Sequence, residues 1–131
     1  MTQSQSAMKQ YQSVGVQSGL DDASPHMLIQ MLLDGALGRL ALAKGFMERN
    51  NHEEKGRAIG SAISIIGGLQ SSLDIDKGGE IAVNLNALYT YMTERLFSAG
   101  SINDVAILEE VSALLDEIRE SWQGIKAEVD G

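Results

Sequence analysis

Apolar residues recur along this chain at intervals of three and four, and the repeat predicts four long helices. The first is predicted from Ser24-Pro25 to about Asn50-Asn51. Serine can accept the free N–H groups of a first turn, and proline suits the first helical position because its missing N–H is not needed there. Its inward stripe is Ile29, Leu33, Ala36, Leu40, Ala43 and Met47. A second helix is predicted to start at Asn51, with Glu53 and Glu54 opposing the positive helix end and Ile59, Ala62, Ile66, Leu69 and Leu73 inward. Asp74 to Gly79 reads as the clearest loop. A third helix is predicted from about Glu80 to Ala99, with Ile81, Leu85, Leu88, Met92 and Leu96 inward and Gly100 as its stop. Ser101 or Asn103 is expected to cap the fourth, whose stripe is Val105, Leu108, Val111, Leu115, Ile118, Trp122 and Ile125. Short loops between long helices favour antiparallel neighbours. The expected fold is therefore an all-α, up-and-down four-helix bundle over residues 23–127. Residues 1–22 read as a polar N-terminal segment with a weak helical signal around Tyr11 to Val16, and residues 128–131 as a tail.

Two features do not fit a plain bundle. Glycine stands inside the first two helices, where each one costs about 1 kcal/mol relative to alanine. In the second helix Gly56, Gly60, Ser64, Gly67 and Ser71 form a stripe of small residues. Such a stripe serves close packing within the bundle, or it forms a shallow groove for a partner helix. The second feature is excess apolar surface. Met27, Leu28, Ile29, Met31, Leu32 and Leu33 surround the first helix on nearly all sides, and Ile59, Ile63, Ile65 and Ile66 do the same on the second. Every helix of a four-helix bundle has an outer face, so part of this surface is expected to be exposed and available for contact. Met27 and Met31 are unbranched and adaptable, which suits a surface that accepts varied helices. A short helix around Tyr11 could fold over the same patch as a removable cover.

Charge narrows the partners. The 131 residues carry a net charge of −8, and residues 101–131 hold eight carboxylates against two bases, Arg119 and Lys126. This balance disfavours phosphate backbones and anionic lipid surfaces. The chain has no cysteine, which excludes disulfides and thiolate metal sites and fits a reducing compartment. Met1 to Gln10 has no apolar core of a signal peptide. The longest uncharged stretch, Ala58 to Leu73, is too short and too polar to span a bilayer.

Catalytic signatures are missing from the sequence. There is no glycine-rich phosphate loop and no nucleophile elbow. Asp74 and Asp76 faintly resemble the start of a calcium loop, but Lys77 and Gly78 stand where ligands would be needed. His26 reads as a first-turn residue without a role. His52-Glu53-Glu54-Lys55-Gly56 matches the H-x-x-K-G pattern of histidine phosphotransfer domains, which are also four-helix bundles. That pattern makes phosphotransfer through His52 the rival function. In that family the histidine lies mid-helix, whereas His52 is placed in a first turn.

The segment Ala23 to Ala36 resembles the opening motif of the flagellar secretion chaperone family FliS. Further segments are similar to that family in the same order: Ser72-Leu73-Asp74, Gly78 to Leu85 with Leu88-Tyr89 and Tyr91-Met92, Asn103-Asp104 leading to Leu108-Glu109-Glu110-Val111, and Arg119-Glu120-Ser121-Trp122. The likeness spans roughly residues 11–125. It implies a cytoplasmic, non-enzymatic chaperone without cofactor or metal. Its partner would be the C-terminal segment of flagellin, shielded from premature polymerisation and delivered to the export gate, with neither nucleic acid nor membrane insertion involved. Tyr11 matches an N-terminal tyrosine of the family, with Val14 or Val16 as its apolar neighbour. With Met27, Met31, Gly56, Gly60, Ile63, Ser64 and Gly67 they form the expected partner-binding set. Asp34 and Arg95 are expected to pair within the bundle. A self-associating bundle would use the same apolar patches.

Overall fold

The structure is a computed structural model describing residues 24–129, with side chains through Ile125. Four helices follow one another: α1 Pro25–Glu48, α2 His52–Ser71, α3 Ile75–Ile102 and α4 Val105–Val129. Consecutive helices pack together, and α4 closes the ring against α1, while the backbones of the diagonal pairs stay further apart. This is the expected four-helix bundle. The N-terminal segment, including Tyr11, Val14 and Val16, lies outside the described residues.

Local chemistry sets the helix ends. Met27 N donates to Ser24 Oγ at 3.1 Å, with Pro25 in the first turn. Glu54 N donates to Asn51 Oδ1 at 3.4 Å, and Glu53 and Glu54 occupy the first turn of α2. Asn50 takes a left-handed φ of 59° to end α1, so that Asn51 N reaches back to Phe46 O at 2.9 Å. Asparagine tolerates this conformation better than most residues with a side chain.

Three boundaries differ from the sequence expectation. Asp74 to Gly79 is not a simple loop: Asp74 Oδ1 accepts from Lys77 N at 3.1 Å and caps a first turn of α3. The break comes at Gly79, whose φ of 55° and ψ of −132° belong to a region that side chains rarely adopt. A Cβ on Gly78 would lie 2.7 Å from that of Ala82, so this neighbour must be small as well. Gly100 does not stop α3, which continues to Ile102 and ends on a left-handed Asn103 with φ 56°. Neither Ser101 nor Asn103 caps α4; Asp104 Oδ1 accepts from Ala106 N at 3.0 Å.

The core follows the stripes, except that Ile125 at the end of the α4 stripe is exposed and α3 carries a register error. Leu33, Ala36, Leu40, Ala43, Ile66, Leu69, Met92, Leu96, Leu108, Val111 and Leu115 are essentially fully buried. Ile81, expected inward, is 73% exposed. The buried line of α3 is instead Ala82, Tyr89, Met92, Leu96 and Ala99. A neighbouring position on a helix points about 100° away, so Ile81 turns out where Ala82 turns in, while Leu85 and Leu88 pack against the core as expected.

Candidate functional site

Between α2 and α3 runs an open groove of about 390 Å³, lined mainly by apolar groups. On the α2 side stand Gly56, Ile59, Gly60 and Ile63; on the α3 side stand Leu96, Phe97 and Gly100. The two glycines shape its floor. A Cβ added at Gly56 or Gly60 would meet nothing within 4 Å, and the same holds for Gly67. Packing inside the bundle therefore does not require these glycines. Phe97 is 63% exposed at the edge of the groove.

Of the expected binding residues, the structure gathers Gly56, Gly60 and Ile63 in this groove. Ser64 and Gly67 continue along α2 outside its lining. Met27 and Met31 lie on α1: Met27 is 42% exposed, and Met31 is half-buried against the core. Phe97 was missed because it sits one residue off the stripe through Leu96. Its signal was an aromatic residue on the outward side of an amphipathic helix.

The groove ends at a polar anchor. Lys55 is buried, and its ammonium donates to Gly100 O at 3.3 Å and to Asn103 Oδ1 at 2.8 Å. It thereby ties the start of α2 to the last turn of α3, where carbonyls carry partial negative charge. This bears on the phosphotransfer pattern. His52 is exposed at the first position of α2, as expected, and the lysine of the pattern donates to the last turn of α3.

The opposite end of the bundle is closed by a contact between residues 96 positions apart. The rings of His26 and Trp122 stack with centroids 4.6 Å apart and planes 6° from parallel. Trp122 Nε1 donates to His26 O at 3.0 Å, and His26 Nε2 donates to Trp122 O at 2.8 Å. His26 is thus a buried structural residue joining α1 to α4, and not the idle first-turn residue its position implied. Beside it a small apolar cavity of about 90 Å³ is lined by Ile29, Leu33, Leu69, Leu85, Tyr89 and Trp122 among others. Burial pushes the Tyr89 hydroxyl up to about 12.

Asp34 and Arg95 both pair with α4. Arg119 Nη1 donates to Asp34 at 3.3 Å, and Arg95 Nε donates to Glu110 at 2.9 Å. Tyr91 also donates to Glu110. Those two hydrogen bonds, Tyr91's first, hold the Glu110 carboxyl below the usual carboxylate range, and the Glu110 bond raises Tyr91. No cluster of three or more potential metal ligands occurs among the described residues, where the Asp74 carboxylate serves as a helix cap. None of the described helices is long and apolar enough to cross a membrane.

A family model described as "Flagellar protein FliS" matches residues 7–129. The chain is 55% identical over 119 residues to the flagellar secretion chaperone FliSB of Pseudomonas aeruginosa, covering 91% of this chain and 94% of that protein. It is 48% identical over 121 residues to the flagellar secretion chaperone FliS of Salmonella typhimurium, covering 92% and 90%. A more distant relative, the flagellar secretion chaperone FliS of Bacillus subtilis, is 32% identical over 113 residues, covering 86% and 84%.

Proposed function

This chain belongs to the FliS family of flagellar proteins, and from that premise we propose that it is an export chaperone for the C-terminal segment of flagellin. The observation that carries the reading is the α2–α3 groove. An open apolar channel, floored by glycines that the bundle does not need and edged by an exposed phenylalanine, fits an amphipathic helix. In the filament, such a helical face would be buried against other subunits. Covering it in the cytoplasm keeps the cargo from polymerising before export. The mechanism is burial alone, with no bond made or broken and no cofactor. The loaded complex is then presented to the export gate, where competing contacts release the cargo.

The apolar surface on α1, with Met27 exposed, offers a second stretch for a cargo that wraps around the bundle. Tyr11, Val14 and Val16 belong to the same proposal, as cargo contacts or as a cover for the groove. Calorimetric titration with the C-terminal segment of flagellin from the same bacterium tests the reading. Saturable one-to-one binding is expected. Absence of binding by a chain shown to be folded by circular dichroism would overturn it and redirect attention to phosphate labelling at His52.

A further inference from the structure

The α2–α3 groove is apolar along most of its length but carries a cation at the end where α2 begins. Lys55 is only 7% exposed, and both of its hydrogen-bond acceptors, Gly100 O and Asn103 Oδ1, are neutral. An ammonium has three N–H donors, so one is left after these two bonds. None of the ion pairs among the described residues involves Lys55. The acids one turn or less away on the same helix, Glu53 and Glu54, are drawn to Arg57. A buried charge is held at a cost unless an opposite charge faces it, and the carbonyl end of α3 supplies only about half a charge.

We infer that the groove reads a carboxylate side chain on its cargo helix in addition to the helix's apolar face, with Lys55 as the counter-ion. This rests on the groove being the cargo site. Charge complementarity selects an acid over an amide or a base. The register follows from α2 itself. Lys55 and Ile63 both line the groove and lie eight residues apart, a rise of about 12 Å along a helix. The recognised acid therefore stands about two turns from the apolar cargo residue that packs on Ile63. The groove is open along its side, so a helix can run through it and the acid belongs to a side chain within the helix, not to the chain end.

The test is calorimetric titration of the whole chain with the flagellin C-terminal segment. Each acid of the segment is changed in turn to its amide, and one further version has its terminal carboxylate amidated. Each version is measured against wild type, Lys55→Arg and Lys55→Met. One amide substitution is expected to weaken binding to wild type about tenfold, to weaken binding to Lys55→Arg similarly, and to change nothing with Lys55→Met. The inference is overturned if no side-chain substitution weakens wild-type binding more than about twofold, a result that stands even if Lys55→Met does not fold. It is equally overturned if the loss persists in Lys55→Met, or if only amidation of the chain end produces it. Failure of the unmodified segment to bind folded wild type is a different result, because it removes the chaperone reading itself.

Discussion

The two faces of α2 follow opposite rules. Toward the bundle, Ala58, Ile59, Ala62, Ile65, Ile66 and Leu69 are buried. Toward the outside, Gly56, Gly60 and Gly67 leave space in which an added methyl group would touch nothing. Three such glycines give up about 3 kcal/mol of helix stability, against a total of roughly 5–15 kcal/mol for a domain of ordinary stability. Nothing inside the bundle returns that sum. Inward glycines in a tightly packed bundle would have been explained by close approach. Outward ones, beside an exposed Phe97, are what the proposed cargo groove requires. The comparison separates residues that hold the fold from residues that shape a surface.

Substitutions on the two faces should therefore fail in different ways. The largest effect belongs to the inner face: Ile66→Ala removes fully buried side-chain atoms and should cost about 2–5 kcal/mol in urea unfolding, with cargo affinity lost only as the fold is lost. Next comes an outer-face obstruction. A Cβ at Gly60 meets nothing in the bundle, so Gly60→Trp should direct its ring into the groove and weaken flagellin binding about tenfold or more, at least ~1.4 kcal/mol, while the unfolding midpoint barely moves. A smaller effect of opposite sign is expected for Gly60→Ala, which should stabilise the protein by roughly 0.5–1 kcal/mol; a loss of stability there would mean that the open space is needed by the fold.

The smallest effect lies on α3, whose link to α4 is partly polar. Glu110 has a lowered folded-state pKa, so its contribution is present above the ordinary carboxylate range and is lost as pH falls through the folded value. Glu110→Gln should flatten the acid side of the stability–pH profile. An unchanged profile would show that the bonds from Tyr91 and Arg95 do not matter to folding.

Much of this was legible in the sequence wherever the cause was local. Ser24-Pro25 and Asn51 start helices through their own side chains, and the stripes of α1, α2 and α4 name most of the core. The register of α3 was not legible near its start, because the break at Gly79 resets which positions face inward, leaving Ile81 out and Ala82 in. Three glycines of the small stripe could be read from spacing, but not whether a neighbouring helix packs on them. The same period fits a buried seam and an open groove, and only the position of α3 decides. The roles of Lys55 and His26 were not legible for a related reason. Their partners, Asn103 and Trp122, are 48 and 96 residues away and meet them only once the bundle closes.

The central claim is that cargo lies on the outer face of α2, with any contact on α1 confined to the start of that helix around Met27. Site-specific photo-crosslinking tests it most directly, with the reactive group placed at Gly60 in one variant and at Leu42, a 51% exposed position on α1, in another. Incubated with the C-terminal segment of flagellin, the Gly60 variant should capture the segment and the Leu42 variant should not. Equal capture at both positions, or capture at Leu42 alone, would contradict the account.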